Sequence, residues 1–140
     1  MRSEEEIFEA AREGDLEYIR NYLSKGGAIE IKNHKGYTPL MLASYYGHPE
    51  VCRALIAQGA DVNSVDHGGN TILMGVAFKG FREIAALLLS AGADPHFQNV
   101  NGMTALDFAR AFGRHEIVSL LDADDATMSQ RISLFLKMIT

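Results

Sequence analysis

A chain of 140 residues, 47% hydrophobic, is long enough to bury one core of its own, and its single cysteine leaves no internal disulfide and no Cys-rich zinc site. Eighteen acidic against thirteen basic residues give a formal charge of −5, the wrong sign for affinity built on neutralising phosphates, so nucleic acid is not an expected partner. No apolar leader follows Met1-Arg2-Ser3 and no stretch reaches the roughly 18 apolar residues of a membrane span, so the chain is expected to be cytoplasmic and to have no membrane contact.

In chain order, EEIFEAAREG (5–14) predicts a first helix opened by Glu5 and Glu6, where the helix dipole favours negative charge, and closed by Gly14. A second helix follows before the Gly26-Gly27 pair. In GYTPLMLASYYG (36–47), Thr38 is a helix N-cap and Pro39 takes the first helical position, where its missing N–H is harmless. Gly47 ends that helix. The next is marked by Val51, Leu55 and Ile56 and ends at Gly59. Ala60-Asp61-Val62-Asn63 then begins an extended, hairpin-like finger.

The pattern returns in GNTILMGVAFKG (69–80), with Thr71 as cap and Gly80 as stop, and then with Ile84, Leu87 and Leu88 before Gly92. It returns again in GMTALDFARAFG (102–113), capped by Thr104 and closed by Gly113. The last unit loses its Gly-Ala-Asp ending and has Asp122-Ala123-Asp124-Asp125 instead. Beyond it, Met128, Ile132, Phe135 and Ile139 fall on one face of an amphipathic helix over 126–140. That helix is expected to cap the end of the last unit, with docking on a partner groove as the alternative.

Gly36, Gly69 and Gly102 are spaced by 33, as are Gly14, Gly47, Gly80 and Gly113, so the chain contains four repeats: about 4–33, 34–66, 67–99 and 100–125. The in-phase recurrence of G-x-T-P-L, a closing glycine and E-V-x-x-L-L-x-x-G-A-D-V-N over residues 4 to about 124 resembles the ankyrin repeat. The expected fold is an all-α ankyrin-repeat solenoid of stacked helix-turn-helix units joined by finger loops, with a repeat domain over 1–125 and a terminal helix over 126–140. One unit cannot bury its apolar faces alone, so neighbours must supply the core.

Catalytic and cofactor motifs fail on inspection. HGGNTILMGVAFKG (67–80) has the composition of a phosphate loop, but Phe81 and Arg82 follow Gly80 where Lys and Ser or Thr are needed. Gly69 and Gly80 are repeat positions. His115-Glu116 opens like a zinc-protease motif, yet Ser119 stands where the second histidine belongs. No G-x-S-x-G turn occurs. Cys52 falls beside the buried Val51 column, as a structural thiol would. His34 and His67 share a repeat position and are expected about 10 Å apart, too far to share a metal ion. No cofactor, metal or catalytic residue is expected.

Recognition remains, and the resemblance implies a non-catalytic protein–protein interaction module whose contacts come from the finger tips and the concave face of the first helices. Aligned by column, the helix ends supply Arg12, Tyr45, Tyr46, Phe78, Lys79 and Phe112. The fingers supply His34, Lys35, Tyr37, His67, Asn70, Val100, Asn101 and Met103. Aromatic and arginine side chains dominate binding hot spots because they bury large rigid areas. The expected role is that of a stoichiometric inhibitor, immunity-type protein or adaptor for another protein, monomeric when free. The alternative is a structural protein that holds a second copy of itself. One position breaks the pattern: Gly75 occupies a helix-interior column filled by Leu42 and Phe108, where glycine costs about 1 kcal/mol. The expected reason is room for the larger Phe108.

Overall fold

The computed structural model describes residues 5–139, apart from the side chains of 123–132. Among the described residues are eight helices: α1 (Glu5–Glu13), α2 (Leu16–Ser24), α3 (Pro39–Tyr45), α4 (Pro49–Ala57), α5 (Ile72–Lys79), α6 (Arg82–Ser90), α7 (Ala105–Ala111) and α8 (His115–Ile139). They form four antiparallel pairs in sequence. Helices α1, α3, α5 and α7 pack each on the next, and α2, α4, α6 and α8 do the same in a second layer. The outcome is the all-α solenoid expected from the repeats.

Each first helix starts as its sequence dictates. The Oγ1 atoms of Thr38, Thr71 and Thr104 each accept the backbone N–H three residues on, all at 3.2 Å. The third helical residue answers the threonine N–H. Asp107 does so with a carboxylate oxygen at 2.9 Å, whereas Met41 and Met74 do so with Sδ at 3.4 Å. Two buried thioethers thus act where a capping box normally has a polar side chain.

The stops between paired helices are glycines for two reasons. Gly80 caps α5 in the left-handed region at φ 82°, and a side chain from the following repeat lies against it. A Cβ at Gly80 would come 2.9 Å from Arg114 Cδ, one at Gly47 2.9 Å from Phe81 Cζ, and one at Gly14 2.5 Å from His48 Nδ1. Two of these covering side chains also donate to the previous repeat. His48 Nε2–H donates to the Arg12 carbonyl at 2.6 Å, and Arg114 Nε–H to the Phe78 carbonyl at 2.9 Å. Phe81, between them, has no donor to offer.

The core runs along the stack in columns. Leu55, Leu88 and Leu121 are fully or almost fully buried, as are Val51, Ile84 and Ile117 on the same helices. Ala43, Val76 and Ala109 have no exposure and let the first helices approach closely. Truncating one of the column leucines to alanine is worth about 2–5 kcal/mol by transfer and cavity costs together.

The fingers are held by their own register. Asn33, Asp66 and Asn99, each 33 apart, use Oδ1 to accept two backbone N–H groups: Lys35 and Tyr37, Gly68 and Asn70, Asn101 and Met103, all at 2.8–3.0 Å. The side chain substitutes for a backbone acceptor, the Asx device of tight turns. A bridge between Val65 and Thr71 closes the second finger.

At the C-terminal end, α8 runs without a break from His115 to Ile139. Without a Gly-Ala stop after Asp122, nothing interrupts the helix, so the separate segment expected from residue 126 is its continuation. Of the four residues expected to face the stack, the side chains of Met128 and Ile132 lie outside the described residues. Phe135 is 60% and Ile139 63% exposed.

Candidate protein-interaction face

Stacking at a 33-residue period places equivalent helix ends side by side, so α3, α5 and α7 present Tyr45-Tyr46, Phe78-Lys79 and Phe112 in one row. The rings touch along it. Tyr45 and Phe78 are stacked with centroids 6.4 Å apart and planes 3° from parallel, while Phe78 meets Phe112 edge-on at 4.6 Å. Tyr46 stands edge-on to Tyr45 at 5.6 Å. Phe78 is the half-buried middle of the row, with Tyr45, Tyr46 and Phe112 40–50% exposed around it. Lys79 Nζ lies 5.1 Å from the Tyr45 ring centroid, in cation–π range, and 5.9 Å from that of Phe81.

Across from the row stand the fingers. His34, Lys35, His67, Val100 and Asn101 are exposed, Val100 by 84%. Exposure does not make them all free: the His67 ring covers the place a Cβ would take at Gly36, and Val100 Cγ1 lies over Gly69 in the same way. Tyr37, Asn70 and Met103 are half-buried. Their N–H groups serve the Asx turns, and Asn70 Oδ1 also accepts from Asn99 Nδ2 at 2.9 Å, tying the second finger to the third.

Between fingers and row lies a cavity of about 370 Å³. It gathers six of the sequence-selected residues, Lys35, Tyr37, Tyr45, Tyr46, Asn70 and Phe78. Arg12, His34, His67, Lys79, Val100, Asn101, Met103 and Phe112 lie outside its lining. Sequence reasoning missed Met41, Leu42, Asp66, Thr71, Ile72, Met74 and Phe108, which also line it. Their signal was present in the repeat: Asp66 shares its column with Asn33 and Asn99, and the apolar residues flank Gly75 or its equivalents.

Gly75 also lines the cavity, and this corrects the expectation for it. A Cβ there would meet only Tyr45 Cδ2 within 4 Å, at an ordinary 3.5 Å, and no atom of Phe108. An alanine-sized side chain here would therefore make no clash with Phe108. Its missing side chain contributes empty space on the face shared with Tyr45.

Charge around the cavity is uneven. Lys35 and Lys79 make no ion pair among the described residues, whereas Asp66 Oδ1 is engaged by two backbone N–H groups. The described ion pairs lie elsewhere: Arg53 bridges Glu50 at 2.6 Å and Glu83 at 2.5 Å, linking α4 to α6, and Arg110 meets Asp122 at 3.1 Å. Among the described residues no group of three or more His, Cys, Asp or Glu side chains could hold a metal ion. Cys52 is fully buried beside Ser44 Oγ at 3.4 Å, and burial pushes its thiol up to about 11, away from the thiolate that nucleophilic chemistry needs. No helix among the described residues is long and apolar enough to cross a membrane.

Comparison with known proteins agrees with this geometry. The profile for ankyrin repeats in three copies matches residues 7–99, and that for ankyrin repeats in many copies matches residues 83–121. A Pseudomonas aeruginosa protein named as an ankyrin repeat protein is 40% identical over 45 residues, which is 32% of this chain and 26% of that relative.

Proposed function

The chain belongs to the ankyrin repeat family, whose members are generally non-catalytic protein–protein interaction modules, and from that premise we propose that it binds one partner protein through its concave aromatic face and finger tips. The observation that carries the proposal is the row Tyr45–Phe78–Phe112, three rings from three repeats each against the next, with the outer residues Tyr45 and Phe112 40% and 49% exposed. Rings that served only the stack would be covered by it. A rigid amphipathic surface of this kind is what interface hot spots are made of. The module acts stoichiometrically, as an inhibitor, an immunity-type protein or an adaptor.

The test is capture of partners from cells of the source organism on the immobilised chain, identified by mass spectrometry, with the Tyr45→Ala, Tyr46→Ala, Phe78→Ala triple variant as control. Mixing the captured protein one to one with the chain then separates the roles. An inhibitor changes its partner's activity, whereas an adaptor leaves it unchanged and joins it to a second protein.

One separate observation favours a second reading, self-association. Leu134, Phe135, Met138 and Ile139 on the last turns of α8 are each at least 60% exposed. Light scattering on the purified chain decides between a monomer and a persistent dimer.

A further inference from the structure

We propose that the cavity beside Gly75 is a socket for one bulky apolar side chain, phenyl-sized, that the partner presents with carboxylates next to it; this rests on the inner-face reading above and specifies its chemistry. The larger part of the lining is apolar or aromatic, from Leu42, Tyr45, Ile72, Phe78 and Phe108, with Asn70 and Thr71 adding polar atoms, and the volume of about 370 Å³ falls in the range of about 300–1,000 Å³ typical of ligand pockets. Position 75 adds to the space by having no side chain, where the equivalent positions of the neighbouring repeats carry leucine and phenylalanine. Neither backbone conformation nor a clash at Cβ demands the glycine over alanine: its φ is not in the left-handed region, and a Cβ would sit at ordinary contact distance from Tyr45. A helix-interior glycine where alanine would fit costs about 1 kcal/mol of helix propensity, and the space it leaves faces the proposed partner.

Charge complementarity specifies the flanking groups. Lys35 lines the cavity at the finger side, and Lys79 stands over the ring of Tyr45, which forms its wall. Both ammonium groups are without an ion pair among the described residues, in a chain whose formal charge is −5. The one carboxylate in the lining, that of Asp66, is held by backbone N–H groups of its own finger. A segment with an aromatic residue between acidic ones puts its ring in the apolar space and its charges toward the two lysines.

The test is an amide chemical-shift titration of the full chain with three blocked tripeptides: aspartyl-phenylalanyl-aspartate, asparaginyl-phenylalanyl-asparagine and aspartyl-alanyl-aspartate. The first is expected to shift the amides of Leu42, Gly75 and Phe78 with a Kd of about 1–5 mM, as befits so small a ligand. The uncharged peptide should bind about fivefold more weakly, and the alanine peptide should not saturate. Gly75→Leu fills the socket and should abolish the shifts. Because a leucine there could disturb folding, Gly75→Ala is the second variant: one methyl group should raise Tm while weakening the acidic phenylalanyl peptide about threefold or more. A purely structural glycine would not move the two readouts in opposite directions. Equal affinity for the charged and uncharged peptides, wild-type affinity in Gly75→Ala, or no shifts at about 10 mM peptide overturns the proposal. If the triple aromatic variant nonetheless loses a captured partner, the inner-face reading stands and only the socket falls.

Discussion

Tyr45 and Phe78, 33 residues apart in sequence, stack with their ring planes 3° from parallel and their centroids 6.4 Å apart. The contact joins the second repeat to the third on a surface that stays partly open to water. It is a structural link and, in the proposed function, part of the binding surface, and the two roles differ in magnitude. Phe78 touches rings on both sides, so Phe78→Ala should destabilise the chain more than Tyr45→Ala or Phe112→Ala does. A double-mutant cycle on Tyr45 and Phe78, read by urea unfolding, should give a coupling of about 0.5–1.5 kcal/mol. Coupling indistinguishable from zero would mean that the stacked arrangement has no energetic content.

The fingers yield a prediction with its control built into the repeat. Asp66 does with a carboxylate what Asn33 and Asn99 do with an amide oxygen. Asp66→Asn should therefore leave the unfolding midpoint nearly unchanged. Asp66→Ala leaves two backbone N–H groups without their acceptor and should cost about 1–2 kcal/mol. Equal loss in both variants would show that charge, not acceptor geometry, holds the finger.

Much of this was legible in the sequence because it recurs in phase. Thr38, Thr71 and Thr104 are caps, and Gly47, Gly80 and Gly113 follow at a fixed distance, so the starts and stops of the first helices of repeats two, three and four could be placed residue by residue. Two things could not. The length of α8 depends on the lack of a stop after Asp122, and a missing signal does not say where a helix ends instead. The role of Gly75 depends on direction: its column aligns it with Phe108, but the space it leaves opens toward Tyr45. A column in an alignment fixes which helix face a residue shares, not which neighbour its side chain would meet. The site was half legible for the same reason, since ring positions follow the repeat while the cavity among them depends on a departure from it.

Cys52 makes stability pH-dependent in a definite window. Burial raises its thiol from an ordinary 9.0 to about 11. Between those values the unfolded chain has lost the proton and the folded chain still holds it, so the unfolded state binds fewer protons and stability falls as pH rises. The contribution is complete below pH 9 and is lost through about pH 11, an effect on the order of 2–3 kcal/mol. The difference in unfolding free energy between wild type and Cys52→Ala should shrink by that amount across the window. A constant difference would contradict the account.

Removal of residues 133–140 separates a structural from a docking role for the end of α8. Residues 133–139 are all exposed, so the truncated chain should keep its unfolding midpoint within about 1–2 °C. A fall of about 10 °C or more would show that these turns hold the fourth repeat together.

The most direct test of the central claim is titration calorimetry between the captured partner and the chain, wild type against the Tyr45→Ala, Tyr46→Ala, Phe78→Ala variant, with unfolding midpoints measured in parallel. The account predicts a one-to-one complex weakened at least about 100-fold in a variant that still unfolds cooperatively. Unchanged affinity in a folded triple variant would contradict it.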